Sequence, residues 1–223
     1  MNYVISIVDP YMLDQLGEIH RELELPLTLV VHGRGTATKS MLEMLGIVGT
    51  KERRVVMTVA DKERTSRLIE EERRQLYIDA PGHGIIVAVP IKSVGGGKTL
   101  SYLSGGHSTG GQPTLNYDYE LILAIANEGY TDAVMDAARA AGARGGTVLH
   151  GKGTGSKDAE KFFRVSIAQE KELILIVAKS DEKTAIMRSI IANAGVNTEA
   201  GAVVISLPVT EVAGFGVLTK TEE

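Results

Sequence analysis

The chain has 223 residues, of which 43% are hydrophobic and 23% are charged, so it can form one large or two small domains and is not disordered overall. Its 24 Lys and Arg residues against 28 Asp and Glu residues give a net charge of −4, which argues against nucleic acid or acidic membranes as partners. The absence of cysteine excludes disulfides and thiolate metal sites and is typical of a reducing compartment. Without a basic start or an apolar run of about 20 residues, the sequence predicts a cytoplasmic protein with no signal peptide and no membrane helix.

The first half of the chain predicts a strand, a helix, two strands, a second helix and a fourth strand. Tyr3–Val8 is a short apolar run, and Asp9 with Pro10 is typical of a helix start. Apolar residues then recur every three to four positions up to Leu23, which is the spacing of one buried helix face. The remaining predicted elements are strands at Leu27–His32 and Arg54–Ala60, a helix at Asp61–Leu76, and a strand at Gly84–Val89 that ends at a proline.

The second half repeats the first at a constant offset. The segment His32-Gly33-Arg34-Gly35-Thr36 returns 118 residues later as His150-Gly151-Lys152-Gly153-Thr154. Further matches at this offset are Val55–Ala60 with Leu173–Ala178, and Val94 and Gly96 with Val212 and Gly214. Because the register has no gap over about 90 residues, we expect one fold to occur twice.

The predicted second copy has the same element order. Its elements are a strand at Ile122–Ala126, a helix at Tyr130–Ala141, strands at Thr147–His150 and Glu172–Ala178, a helix at Ser180–Ala194 and a strand at Ala202–Leu207. The order βαββαβ, found twice, predicts an α+β fold of two ferredoxin-like domains in tandem, each an antiparallel four-stranded sheet with both helices on one face. The strands are apolar enough to need cover on the other face as well, between domains or between subunits.

The two copies are joined by a segment rich in glycine and serine. It contains Ser104-Gly105-Gly106-His107-Ser108-Thr109-Gly110-Gly111, a composition typical of a flexible connector. We therefore assign residues 1–96 to the first domain, 97–120 to the linker, 121–215 to the second domain and 216–223 to a tail.

The sequence offers little for catalysis or for a metal. No cysteine and no Gly-x-Ser-x-Gly elbow is present, so the protein is predicted not to be an enzyme. The histidines show no His-x-x-x-His spacing, and the simplest interpretation of His32 and His150 is a strand-end side chain hydrogen-bonded to backbone. Metal handling through these two histidines stays open as an alternative.

The duplicated glycine motif is the candidate ligand site. Its glycines let the backbone approach a ligand, and its hydroxyl and cationic side chains suit an anion. Alternatively, the glycines only turn the chain after the second strand and the lysines are simply exposed. The candidate residues are Gly33, Arg34, Gly35, Thr36, Thr38 and Lys39 in the first copy, and Gly151, Lys152, Gly153, Thr154, Ser156 and Lys157 in the second.

Both copies resemble the P-II family of nitrogen-regulatory signal proteins. In the first copy the resemblance rests on the element order, the Gly-x-Gly motif, the loop after it and Gly82–Val94; in the second it rests on Ala141–Gly155 and Gly201–Val212. It implies domains that assemble as a homotrimer and bind an adenine nucleotide such as ATP, ADP or AMP between neighbouring domains. It also implies that Gly82 and Gly84 lie beside the ligand.

The resemblance further implies that the protein regulates a target by binding to it and does not catalyse a reaction. Loops after the second strands would contact a target enzyme, regulator or membrane transporter, in nitrogen metabolism or transport. The family's Gly-Asp-Gly-Lys motif appears here as Gly82-His83-Gly84-Ile85 and Ala200-Gly201-Ala202-Val203, without the lysine that contacts phosphate. A different anionic ligand is therefore weighed, as is an oligomeric docking or assembly protein that binds no small ligand.

Overall fold

The computed structural model describes residues 1–25, 28–36, 52–92, 103, 115–152 and 170–214. These residues form a mixed α/β structure with antiparallel strand pairs and four α-helices. The chain divides into two compact units. The first contains the described residues among 1–32, 39–116 and 208–223, and the second contains those among 33–38 and 117–207. In the described part of the chain, no helix is both long enough and apolar enough to span a membrane.

The first unit combines a sheet with two helices. Its elements are β1 (Asn2–Val8), a 3₁₀ turn (Pro10–Met12), α1 (Leu13–Glu22), β2 (Thr28–Gly35), β3 (Glu52–Ala60), α2 (Lys62–Leu76), β4 (Gly84–Pro90) and β9 (Glu211–Ala213). The strand order is β2-β3-β1-β4-β9, and β1 pairs antiparallel with both β3 and β4. The last residues of β2, from Gly33 onward, belong to the second unit.

Local signals explain where the helices of the first unit begin. The carboxylate of Asp61 accepts a 2.8 Å hydrogen bond from the backbone N–H of Arg64, which caps the start of α2. Pro10 begins a 3₁₀ turn, but the Asp9 side chain makes no capping hydrogen bond there. The predicted start at Asp9 and Pro10 is therefore a short turn that leads into α1.

The core of the first unit lies between the helices and one face of the sheet. Its buried side chains are Val4 and Val8 of β1, Val56 and Ala60 of β3, Ile86 and Ala88 of β4, Leu16 and Ile19 of α1, and Leu68, Ile69 and Leu76 of α2. Alternate strand residues point to the opposite face. On that face Ile5, Ile7, Val55, Val59 and Val87 are also buried, so the strands are apolar on both sides as expected.

The second unit has the same kind of build. Its elements are β5 (Asn116–Asn127), α3 (Thr131–Ala140), β6 (Thr147–Lys152), β7 (Glu170–Lys179), α4 (Ser180–Ala194) and β8 (Val203–Val209). The strand order is β8-β5-β7-β6, and β7 pairs antiparallel with β5 and β6. The largest core side chains are Ile122, Ile174 and Ile176 of the sheet, Met135 of α3, and Ile186 and Ile190 of α4.

In chain order the described elements run βαββαβ twice and end with β9. The structure differs from the sequence prediction at β8, which continues through Pro208 to Val209 and does not stop at the proline. Proline is tolerated there because β8 has one strand neighbour, β5, among the described residues. β9 was not predicted, and β5 begins at Asn116, inside the range predicted as linker. The domain boundaries themselves stay a prediction.

Candidate functional site

Three segments of the first unit meet where β1 ends. Because β1 pairs antiparallel with β3 and β4, its end lies beside the starts of both strands. Directly after β1, the Asp9 carboxylate accepts a hydrogen bond from Nη1 of Arg53, and Nη2 of Arg53 donates to the carbonyl of Gly82 over 3.3 Å. Asp9, Arg53 and Gly82 form a cluster that we call the β1 corner.

The charges of the β1 corner compensate each other. The side chains of Asp9 and Arg53 are both only 14% exposed. Burial raises the pKa of the Asp9 carboxyl, while Arg53 and His83 act in the opposite direction. The corner therefore holds a sheltered ion pair at the end of the sheet.

The turn before β4 needs glycine for backbone reasons. Gly82 has φ 84°, a conformation that favours glycine. A Cβ on Gly84 would overlap the carbonyl oxygen of Ile7 and lie 2.8 Å from Cδ1 of Ile78. Both glycines were predicted as ligand neighbours, and the turn geometry is sufficient to explain them without a ligand.

The second unit builds a similar cluster where β5 ends. Nζ of Lys171 donates to Oδ1 of Asn127. Nδ2 of Asn127 donates to the carbonyl of Glu199 over 2.8 Å, and its backbone N–H donates to the carbonyl of Ala200 over 2.9 Å. We call Asn127, Lys171 and Ala200 the β5 corner.

The two corners occupy equivalent positions of the repeat. At the offset of 118 residues the matched pairs are Asp9 with Asn127, Arg53 with Lys171, and Gly82 with Ala200. In both units a cation from the start of a strand holds a side-chain oxygen at the end of the neighbouring strand. Of the two corners, Gly82 was predicted as a site residue, whereas Asp9, Arg53, Asn127 and Lys171 were not. The signal that would have identified them is a polar residue that recurs at both strand ends.

Beside the β5 corner lies a buried carboxylate. Glu172 is 5% exposed and accepts a 2.7 Å hydrogen bond from Oγ1 of Thr131. Its other oxygen, Oε1, lies 3.6 Å from Nε2 of His150, whose side chain is 57% exposed. Thus His150 lies beside a side-chain carboxylate, whereas the partner predicted for it was a backbone group.

The first-copy glycine motif lies within a strand. β2 extends to Gly35, past its predicted end at His32, and residues 34 and 35 pair antiparallel with β6 in the second unit. Thr36 follows, and its backbone N–H donates to the carbonyl of Gly146 over 3.0 Å. The Thr36 carbonyl accepts a 2.5 Å hydrogen bond from Nη2 of Arg139. Gly33–Thr36 thus belong to the second unit, whereas Gly82 and Gly84 belong to the first.

The second-copy motif is described only at its start. Gly151 and Lys152 end β6, and Gly151 lies opposite Lys171 of the β5 corner. A Cβ on Gly151 would meet nothing within 4 Å, so the space beside this residue is open. The predicted site residues that lie outside the described residues are Thr38, Lys39, Gly153, Thr154, Ser156 and Lys157.

Among the described residues, neither a metal site nor a cavity away from the two corners is a stronger candidate for the functional site. Within the described ranges, no group of three or more His, Asp or Glu side chains is placed to hold a metal ion. An open cavity of about 450 Å³ in the second unit is lined by Tyr119, Lys179 and Asp181 among others. It lies at the opposite end of β5 and β7 from the β5 corner, since Tyr119 pairs with Lys179 and Asn127 with Lys171.

The family model of the nitrogen regulatory protein P-II matches residues 119–217. The matched region contains the whole β5 corner, Glu172 and His150, and it extends through β9. The match therefore covers the second copy of the repeat, which confirms the resemblance to the P-II family for that copy.

Comparisons with individual proteins add little to the P-II match. No curated protein matches the chain. Arabidopsis thaliana PII bound to citrate has TM-score 0.34 and 22% identity, over 43% of this chain and 78% of its own. A Bacillus cereus protein related to NIF3 has TM-score 0.34 and 12% identity, and the match covers 45% of this chain and 27% of the Bacillus chain. An unknown protein from Galdieria sulphuraria has TM-score 0.30 and 10% identity, and the match covers 93% of this chain and 98% of the Galdieria chain. At these TM-scores the likenesses do not establish a shared fold.

Proposed function

We propose that the protein is a P-II-like regulatory protein of two ferredoxin-like domains, which binds a small anionic ligand and controls a partner protein. The observation that carries this proposal is the P-II match over residues 119–217. P-II proteins signal by binding, so the protein is proposed to have no catalytic role. The ligand we favour is an adenine nucleotide such as ATP, ADP or AMP.

The β5 corner supports an anion site in the second copy. Lys171 supplies a positive charge, and Gly151 opposite it leaves open space. Lys152 continues β6 from there, and hydroxyl and lysine residues follow in the sequence up to Lys157. Cations beside a glycine-rich backbone are the donors that a phosphate group prefers.

A thermal-shift panel of ATP, ADP and AMP, each with and without Mg²⁺, tests the proposal. A ligand at about 100 times its dissociation constant raises the free energy of unfolding by about 2.7 kcal/mol. We expect at least one nucleotide to raise the melting temperature. No shift with any nucleotide would contradict nucleotide binding.

The site is then tested by calorimetric titration of Lys171→Ala with the nucleotide that binds. Loss of a charge-assisted hydrogen bond predicts an affinity lowered about tenfold or more. Lys179→Ala is the matched control, because Lys179 is an exposed lysine at the other end of the same strand. Equal affinities of both variants and the unmodified protein would show that the ligand does not bind at Lys171.

The partner and the assembly are part of the same proposal. We propose a cytoplasmic homotrimer whose loops after β2 and β6 bind a target enzyme, regulator or transporter in nitrogen metabolism or transport. Light scattering coupled to size-exclusion chromatography tests the assembly. A mass three times that of the 23.8 kDa chain is expected, and a stable monomer would contradict the trimer.

A second candidate is an oligomeric docking protein that binds no small ligand. Its support is that Gly33–Thr36 use backbone groups for pairing with β6 and Gly146, as a purely structural motif would. The cations of both corners are also engaged by side-chain oxygens of the protein. A pull-down that recovers a specific partner from the apoprotein, together with no response to any nucleotide, would favour this candidate.

A further inference from the structure

The two corners differ in charge at one position of the repeat. Asp9 follows β1, and its counterpart at the offset of 118 residues is Asn127, the last residue of β5. Oδ1 of Asp9 accepts a hydrogen bond from Arg53. Oδ1 of Asn127 accepts one from Lys171. The carboxylate adds a negative charge to its contact and the amide adds none, so the two contacts are alike in form and unlike in charge.

In the β1 corner the negative charge belongs to the protein itself. The side chains of Asp9 and Arg53 are each 14% exposed, so little water weakens the attraction between them. Asp9 also interacts electrostatically with a second basic side chain, His83, and Arg53 also donates to the carbonyl of Gly82. An anionic ligand could bind Arg53 only by displacing Asp9, and the same carboxylate would repel it. The negative charge that Arg53 attracts is therefore supplied from within the chain.

In the β5 corner the same position is neutral. Nδ2 of Asn127 donates to the carbonyl of Glu199 over 2.8 Å, which fixes the amide so that its oxygen points to Lys171. The amide thus holds the lysine in place without adding a negative charge. The space beside Gly151, which lies opposite Lys171 on β6, is open. An anion that approaches Lys171 from this side meets no carboxylate at position 127.

Two carboxylates beside the β5 corner are held by other groups. Glu172 follows Lys171 on β7 and points to the opposite face of the sheet, because successive side chains of a strand alternate between the faces. Its carboxylate accepts the hydrogen bond from Thr131. The exposed Glu199 accepts a 3.0 Å hydrogen bond from the hydroxyl of Tyr130. Both carboxylates thus bind hydroxyl groups and do not take the place that a carboxylate has in the β1 corner.

We propose that this one position selects the copy of the repeat that binds an anion. Asp9 closes the β1 corner to anionic ligands because it supplies the negative charge itself, and Asn127 leaves the β5 corner able to bind one. This inference rests on the proposed function and narrows it to one phosphate-bearing ligand per chain, bound at Lys171. Exchange of the two residues should therefore exchange the behaviour of the two corners.

Reciprocal substitutions in the full chain test this assignment. The probe is inorganic pyrophosphate, titrated by isothermal calorimetry in a zwitterionic buffer of low salt, since it carries the anionic groups of a nucleotide without the base. The unmodified chain is expected to bind one pyrophosphate. Asp9→Asn gives the β1 corner the residue of the β5 corner and should bind two. Asn127→Asp places a carboxylate against Lys171 and should lower the affinity of the existing site about tenfold or more.

Matched variants separate the position from the change in net charge. Asp14→Asn and Asn193→Asp make the same two substitutions at exposed helix positions, and both should bind pyrophosphate as the unmodified chain does. Asp9→Asn combined with Arg53→Gln should lose the second site, which identifies Arg53 as the group that binds it. Circular dichroism shows whether each variant is folded. If Asp9→Asn does not fold, Asn127→Asp still decides, because asparagine and aspartate have nearly the same shape.

A weakened site in Asn127→Asp, with a gained site in Asp9→Asn where that variant folds, supports the proposal. Two sites or no site in the unmodified chain would overturn it, as would unchanged binding in either folded swap or an equal loss of affinity in Asn193→Asp. This inference fails alone when a nucleotide raises the melting temperature but both swaps leave pyrophosphate binding unchanged. The proposed nucleotide fails alone when the swaps behave as expected and no nucleotide binds.

Discussion

Oγ of Ser6 donates a 2.6 Å hydrogen bond to Oε1 of Glu72, and neither side chain is more than 1% exposed. Ser6 lies on β1 and Glu72 on α2, so a carboxyl group is enclosed between helix and sheet. Its second oxygen, Oε2, has no hydrogen-bond partner among the described residues. Burial raises the pKa of Glu72 from its ordinary value of 4.5 to about 8, and the Ser6 hydroxyl only partly opposes this.

The raised pKa of Glu72 predicts that the first unit loses stability as pH rises. Between pH 4.5 and about 8, the unfolded chain releases this proton while the folded chain keeps it. The free energy of unfolding therefore falls as pH rises through this range. Glu72→Gln has no proton to lose and should remove this dependence, with the largest gain in stability near pH 8. Urea unfolding at pH 5 and pH 8 measures it.

Glu70→Gln is the control for Glu72. It is the same substitution two residues earlier on α2, at an exposed position. We expect its pH dependence to follow that of the unmodified protein. If Glu70→Gln and Glu72→Gln changed the pH dependence equally, the buried carboxyl would not be its source.

The burial of His20 predicts that the protein loses stability as pH falls. It is 4% exposed, its Nδ1 lies 3.0 Å from Oγ1 of Thr28, and burial lowers its pKa from 6.5 to about 4. As pH falls from 6.5 to about 4, the unfolded chain takes up a proton that the folded chain does not bind, so the free energy of unfolding falls. His20→Gln should weaken this acid dependence, measured by urea unfolding at pH 4.5 and 6.5. The exposed His32→Gln should leave it unchanged, and equal effects would contradict the assignment.

Two glycines of the first unit predict opposite effects of the same substitution. Gly84→Ala places a Cβ against the carbonyl oxygen of Ile7 and should destabilise the protein by about 2 kcal/mol or more. Gly17→Ala lies on an exposed face of α1, where a Cβ meets nothing within 4 Å, and should stabilise it by about 0.5–1 kcal/mol. Chemical denaturation of both variants at one pH measures the difference. A Gly84→Ala protein as stable as the original would refute the close approach to Ile7.

The hydrogen bond that caps α2 predicts a smaller loss of stability than the one expected for Gly84→Ala. The Asp61 carboxylate accepts the backbone N–H of Arg64, so Asp61→Ala should lower the free energy of unfolding by about 1 kcal/mol. Asp61→Asn keeps an acceptor oxygen and should retain most of the stability. Thermal unfolding of the two variants separates the cap from the charge of Asp61. Equal losses in both variants would mean that the charge matters and the cap does not.

The sequence by itself determined the order of the elements and most of their limits. Helix α4 spans Ser180–Ala194, as the periodicity predicted, and α2 begins at Lys62, one residue after its predicted start at Asp61. The constant repeat offset also identified equivalent positions in the two copies. The helix and strand limits are local features, because hydrophobic spacing, caps and turn residues act within a few positions of the chain.

Only the tertiary structure decided which distant residues meet. Ser6 and Glu72 are 66 positions apart, and Gly214 and Asp79 are 135 apart. The same holds for the glycine motif, which was predicted to leave β2 and instead continues it as a strand beside β6. Hydrophobic spacing shows which face of a strand is buried, but each strand edge offers the same backbone donors and acceptors to any partner. The partner is selected by the packing of the whole unit, which no short stretch of sequence contains.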